Sequence, residues 1–202
     1  MSGRLTADAS ATLMREAAQG DRHSWELLVD AYTGLIWTIA RNHRLGASDA
    51  ADVSQTTWLR LVEHIDSIED PTRVGAWLAT TARRECLRVI GRASKTVPVA
   101  DTAPMTDLRS QDDEELDSAL LGAERDAEVQ RALLGLSPRC RQLLHLLMLD
   151  PPASYEEISA AMGMPIGSIG PTRGRCLERL QGLLAMRGIA EGGPSVFDDD
   201  SH

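Results

Sequence analysis

Seven arginines of this 202-residue chain fall into two groups whose spacing suits one kind of chemistry, the neutralisation of phosphates. Arg83, Arg84, Arg88 and Arg92 recur about one helical turn apart, so several share a side and can follow a nucleic-acid backbone. Arg173, Arg175 and Arg179 form a second group beyond Gly163 and Pro165. Bond-making chemistry finds no comparable arrangement. The five histidines include no His-x-x-x-His or His-Glu-x-x-His pair, so no metal ligand set is expected. Lys95, the only lysine, follows Ser94 rather than the glycine of a phosphate loop. The run Gly167-Ser168-Ile169-Gly170 lacks the glycine two residues before its serine that a nucleophile elbow requires. No catalytic residue and no cofactor are therefore expected, and an enzyme is the poorest reading. Cys86, Cys140 and Cys176 are widely spaced and odd in number, which predicts reduced thiols in helices rather than a disulfide framework.

A formal charge of -9 argues against a phosphate-binding partner until its placement is considered. From Asp101 to Glu128 ten acids face only Arg109 and Arg125, and the tail from Glu191 to His202 adds four more acids. Between Arg73 and Lys95, six basic residues face only Glu85, and Val129 to Ala190 holds seven basic residues against four acids. Two basic segments are thus separated by an acidic one, a pattern that suits polyanion contacts at two places. A solvated helix face accounts for the smaller excess equally well.

The elements that must position these residues are helical. Aromatic residues make up only 3% of the chain and β-branched runs are few, so strand formers are scarce and an all-α architecture is expected. Helical periodicity predicts one element near Thr6 to Gln19, a longer one from Ser24 to about Arg44, a third from Asp49 to about His64 capped by Ser48, and a fourth to about Ile90 capped by Thr72. These form an N-terminal bundle. Residues 94–117 have the composition of a flexible acidic linker, followed by a helix from about Leu116 to Leu134. Ser137 and Pro138 open another helix, and Ser154 to Leu184 reads as a helix, a glycine turn and a second helix. Ser154 and Glu157 form a capping box, Gly163 ends the first helix in a left-handed conformation, and Ile169, Leu177, Leu180 and Leu184 give the second an apolar stripe. That is a helix-turn-helix, whose second helix fits the major groove. An ordinary helical hairpin with solvated arginines is the plain alternative. Domain boundaries are placed at 1–93, 94–117, 118–187 and a disordered tail at 188–202. No run is apolar enough to cross a bilayer and no signal-peptide core follows Met1, so a cytoplasmic location without membrane insertion is expected.

The order of these motifs is more specific than any one of them. Residues Asp49 to Arg92, with Asp52, Val53, Gln55 and Trp58, resemble the second domain of bacterial extracytoplasmic-function (ECF) sigma factors. Leu136 to Gly170, with Leu136, Pro138, Arg139, Tyr155, Glu156, Glu157, Ile158, Met162, Gly163, Pro165 and Gly167, resembles their fourth domain. The resemblance covers about Gly20 to Leu184, interrupted by the linker. It implies a promoter-specificity subunit that binds core RNA polymerase through the β′ clamp helices and the β flap, and that contacts promoter DNA. It also implies a monomer outside the holoenzyme; an anti-sigma factor is common in the family, and the sequence neither identifies nor excludes one.

By that resemblance, Asp52, Gln55 and Trp58 become the candidate core-polymerase contact, although Trp58 equally suits closing the bundle core. Arg73, Trp77, Arg83, Arg84, Arg88 and Arg92 become the candidate minus-10 contact, with the loop Ser67 to Arg73 receiving a base flipped from the non-template strand. For Trp77 core packing is an equal alternative. Ser168, Thr172, Arg173, Arg175 and Arg179 become the candidate minus-35 contact. Here the chain departs from the family, carrying Gly170, Pro171 and Thr172 where a basic, small, basic pattern is usual. Pro171 is tolerated if Ser168 caps a helix starting at about Ile169, which puts the proline in the first turn. The acids Asp112 to Asp117 serve either as a nucleic-acid mimic in the polymerase channel or as a solvated tether. A stand-alone helix-turn-helix regulator that binds an operator without polymerase remains the alternative function.

Overall fold

The computed structural model describes residues 5–96 and 129–186, which form helices joined by turns, bends and short irregular connections, with no strand among them. Four helices form the N-terminal unit: α1 (Ala7–Ala18), α2 (Arg22–Asn42), α3 (Ala47–His64) and α4 (Val74–Thr96). Short 3-10 turns at Ile65–Ser67 and Pro71–Arg73 join α3 to α4. In the C-terminal unit residues 129–134 are helical, followed by α5 (Pro138–Leu147), α6 (Tyr155–Met162) and α7 (Ile169–Ala185). The all-α expectation holds for these residues. The acidic segment from 97, its acids Asp112 to Asp117, most of the helix expected to end at Leu134, and the tail from 188 lie outside the described residues.

Local chemistry explains where the helices begin. The Thr6 hydroxyl accepts from the Ala9 amide, the Asp21 carboxylate from Ser24 (2.9 Å) and the Ser137 hydroxyl from Cys140 (3.3 Å), each satisfying an amide that has no partner within its helix. The Ser24 bonds hold the Asp21 carboxyl below its ordinary pKa. Two expected caps are corrected. Ser48 lies inside α3, which starts at Ala47 with Gly46 in the capping position, and no side chain caps it. Thr72 is not the cap of α4; the Asp70 carboxylate accepts from the Thr72 amide (3.1 Å) and caps the 3-10 turn that feeds the helix, because Pro71 fixes the first position of that turn.

The core follows the apolar periodicity of α2, α3 and α4. Leu28, Ile36, Ile39, Val53, Leu61, Val74 and Leu78 are fully buried. In the C-terminal unit Leu143, Leu146, Ile158 and Ile169 do the same. The two sets form one continuous buried cluster, since α6 and the end of α5 pack against α4 and α2. The sequence pattern predicts two units on a tether and says nothing of this packing. The cysteine expectation is also corrected: Cys140 of α5 and Cys176 of α7 are joined by a disulfide, with Cα atoms 5.3 Å apart. Cys86 is the free thiol among the described residues, and burial raises its pKa to about 12, which keeps it protonated and unreactive.

Candidate nucleic-acid and polymerase interface

Helix α3 divides into two stripes. Val53, Thr57 and Leu61 point inward and are buried, while Asp52, Gln55, Leu59 and Val62 fall at i, i+3, i+7 and i+10 on the solvent side. Leu59 and Val62 are 56% and 54% exposed, two large apolar side chains one turn apart beside two polar ones. Sequence reasoning had missed both, although their positions on the Asp52 stripe, outside the inward one, were the available signal. Trp58 stands apart from this stripe. It is half-buried, and its ring meets Trp25 of α2 edge-on, with centroids 5.8 Å apart and planes at 72°.

On α4, Trp77, Arg84, Arg88 and Arg92 share one side at spacings of seven, eleven and fifteen residues. Trp77 and Arg84 line an open cavity of about 470 Å³ with His64, Ser67, Asp70 and Arg73, between the start of α4 and the turn that precedes it. The Trp77 ring lies 6.2 Å from that of His64, tilted by 44°. The cavity therefore unites the expected Ser67 to Arg73 loop with a flat aromatic face and two guanidinium groups. Arg88 is partly neutralised by Glu85 at 2.6 Å. Arg83 is brought elsewhere. It is about a third of a turn off the stripe, and its guanidinium lies against Gly163 of the C-terminal unit. Of the four arginines, several of which were expected to share a side, Arg84, Arg88 and Arg92 do so and Arg83 does not.

The helix-turn-helix has the expected punctuation. The Glu157 amide donates to the Ser154 hydroxyl (3.2 Å), and the Ser154 amide donates to the Glu157 carboxylate (2.7 Å), completing the capping box. Gly163 ends α6 at φ 61° and ψ 44°, the left-handed region that glycine enters without a Cβ penalty. Helix α7 starts at Ile169, so Pro171 is its third residue, where an amide would have no partner within the helix. Ser168 does not cap it, however. A 3-10 turn, Ile166–Ser168, runs directly into α7, so Ser168 sits at φ -90° and ψ -9° rather than in the extended geometry of a cap; its hydroxyl donates to the Pro165 carbonyl instead (2.7 Å). Ser168, Thr172, Arg175 and Arg179 fall at i, i+4, i+7 and i+11, one face of the helix. The Thr172 hydroxyl donates to the Ser168 carbonyl (2.6 Å) and Arg175 Nε to the Pro171 carbonyl (3.2 Å). Arg175 and Arg179 are exposed, whereas Arg173 is half-buried and lies outside this face. Among the described residues no cluster of histidine, cysteine and acid side chains has the makings of a metal site, and no helix is long and apolar enough to cross a membrane.

An all-helical chain with a basic aromatic-lined cleft in one unit and a basic helix-turn-helix in the other is of the class that meets nucleic acid at two places. The Sigma-70 region 2 family matches residues 28–96, which contain both the α3 stripe and the α4 cleft. The ECF RNA polymerase sigma factor EcfG of Rhodopseudomonas palustris (strain TIE-1) is 28% identical over 148 residues, 73% of this chain and 78% of that protein. The sigma factor RpoE of Bartonella quintana, solved with the anti-sigma factor NepR, aligns with 81% of this chain and 96% of that one at 27% identity and a TM-score of 0.50. CnrH, solved with the cytosolic domain of CnrY, shares the fold at 22% identity and a TM-score of 0.54, covering 88% and 97%. Over residues 28–96 the chain matches Sigma-70 region 2, and over about three quarters of its length it is similar to ECF RNA polymerase sigma factors.

Proposed function

We propose that this chain binds core RNA polymerase, directs it to promoters carrying minus-10 and minus-35 elements, and helps open the duplex, with no chemistry of its own. The observation that carries the proposal is the region 2 match over residues 28–96, with the α3 stripe and the Trp77 cavity inside it. In this reading residues 1–93 act as the polymerase-binding and minus-10 unit and 118–187 as the minus-35 unit. The exposed side of α3 docks on the polymerase through Asp52, Gln55, Leu59 and Val62, with Trp58 buttressing it from behind. Two half-exposed apolar side chains beside polar groups suit a protein contact.

The cavity between Ser67 and Arg84 takes a base from the opened non-template strand. Trp77 offers the base a stacking face, and Arg73, Arg84, Arg88 and Arg92 follow its phosphates. The face of α7 made by Ser168, Thr172, Arg175 and Arg179 enters the minus-35 major groove, with Arg173 serving a neighbouring phosphate. The stand-alone regulator, with the N-terminal bundle as a dimerisation or ligand domain, is the alternative that the region 2 match disfavours. Run-off transcription from fragmented genomic DNA, with purified core polymerase and with or without this chain, tests the function. Discrete new starts sharing two upstream elements support it; an unchanged set of transcripts refutes it.

A further inference from the structure

Helix α7 carries the expected minus-35 face, yet its own residues secure it poorly. Gly170, Gly174 and Gly182 interrupt it, and glycine is the weakest helix former after proline. Ile169 and Cys176 are its two buried residues, while Leu177, Leu180 and Leu183 are only partly buried against the core. One of those two anchors is the sulfur bonded to Cys140 of α5. Arg175 of the DNA face directly precedes Cys176, about 100° round the helix from it. Whatever holds the Cys176 sulfur therefore sets the angle at which Arg175 and Arg179 are presented.

The two sulfurs differ in the way a reactive pair requires. Cys140 is half-buried and is the third residue of α5, its amide donating to the Ser137 hydroxyl at 3.3 Å. A thiolate in that first turn faces the positive end of the helix dipole, with Arg139 and Arg141 as its neighbours in sequence. Cys176 is wholly buried, so an oxidant from solvent meets Cys140 first. The Cys140 thiolate attacks one peroxide oxygen, the O–O bond breaks, and the other oxygen leaves as hydroxide, which is protonated to water; the product is a sulfenic acid. The Cys176 sulfur then attacks that sulfur and expels its oxygen as a second water. Two electrons pass from the pair to one peroxide, and both thiol protons end in water. A dithiol reverses the change by exchange, first at Cys140, and is itself oxidised to a disulfide. Cys86, buried and with its thiol pKa pushed up to about 12, is excluded from this chemistry.

We propose that Cys140 and Cys176 are a peroxide-reactive pair whose oxidation fixes α7 for reading the minus-35 duplex, and whose reduction by a dithiol loosens it. The inference rests on the assignment of α7 to the minus-35 element. In the test the full chain is reduced with a dithiol or oxidised with hydrogen peroxide and freed of reagent before any other component is added. Mass spectrometry after alkylation should show two thiols lost on oxidation, with Cys86 retained, and Cys176→Ala should trap a dimedone-reactive sulfenic acid on Cys140. Hydrogen exchange of the α7 amides should be faster in the reduced chain. With core polymerase, the reduced chain should bind its promoter about tenfold more weakly, as follows if the ordered form of α7 falls to about a tenth of the population. The double variant Cys140→Ala, Cys176→Ala should give the reduced affinity after either treatment. Sulfenic acid on Cys86 in place of Cys140, equal α7 exchange in the two states, or a double variant that still responds would overturn the proposal. Failure to bind any promoter in either state defeats the promoter-reading function, whereas equal affinity of the two states in an active holoenzyme defeats only the redox inference.

Discussion

Replacing Leu59 and Val62 together by serine should weaken binding to core polymerase while leaving the fold untouched. Both side chains are a little over half exposed in the free chain, so burial in a partner removes about half of each from water. Full burial of such a side chain stabilises by about 1.5–3 kcal/mol, so half burial is worth about 0.8–1.5 kcal/mol each and about 1.5–3 kcal/mol for the pair. That corresponds to a loss of about 10- to 150-fold in affinity. Fluorescence anisotropy of labelled chain titrated with core polymerase measures the loss, and thermal unfolding of the free variant should stay within about 0.5 kcal/mol of wild type, as for other exposed substitutions. Affinity within twofold of wild type would show that the α3 stripe is not the docking face. A strongly destabilised variant would show that these residues belong to the core after all.

Three further outcomes follow from the geometry. Ser154→Ala removes one arm of the capping box and should destabilise the chain by about 1 kcal/mol in urea unfolding; no change would mean that the second bond, to the Glu157 carboxylate, carries the cap alone. Reduction of Cys140–Cys176, which closes a loop of 36 residues, should lower stability by up to about 3–4 kcal/mol, read as a drop in Tm with a thiol reductant that the Cys140→Ser variant does not show. His43 and His145 are held below the ordinary histidine pKa by burial and, less strongly, by Arg83 and Arg141 respectively. The unfolded chain therefore binds more protons as the pH falls below about 6.5, and stability should decline from there downward; a urea midpoint equal at about pH 7.5 and about pH 5.5 would contradict this.

What the sequence revealed and what it concealed divide by range. The Ser154–Glu157 box, the left-handed Gly163 and the harmless placing of Pro171 were all legible, because each depends on residues within a turn or two. The same holds for the inward stripe of α3. The failures are longer in range or geometric. Cys140 and Cys176 stand 36 positions apart, and nothing in their spacing shows that α5 and α7 bring them together. Arg83 looks like a member of the arginine run until the helical angle separates it from Trp77, Arg84 and Arg88. Ser168 has the residue type of a cap, but the preceding 3-10 turn had already committed its backbone to helical angles. The packing of α6 on α4 uses Gly75 and Gly163, whose lack of a side chain permits a close approach and leaves no hydrophobic pattern to read.

This chain is expected to read promoters only as part of a polymerase. Nuclease footprinting on a promoter found by run-off transcription tests it most directly, with the chain alone, core polymerase alone and the two together. Protection of both the minus-10 and minus-35 elements only in the combined sample is the predicted result. Protection of the same duplex by the chain alone would contradict it and make the protein a stand-alone helix-turn-helix regulator.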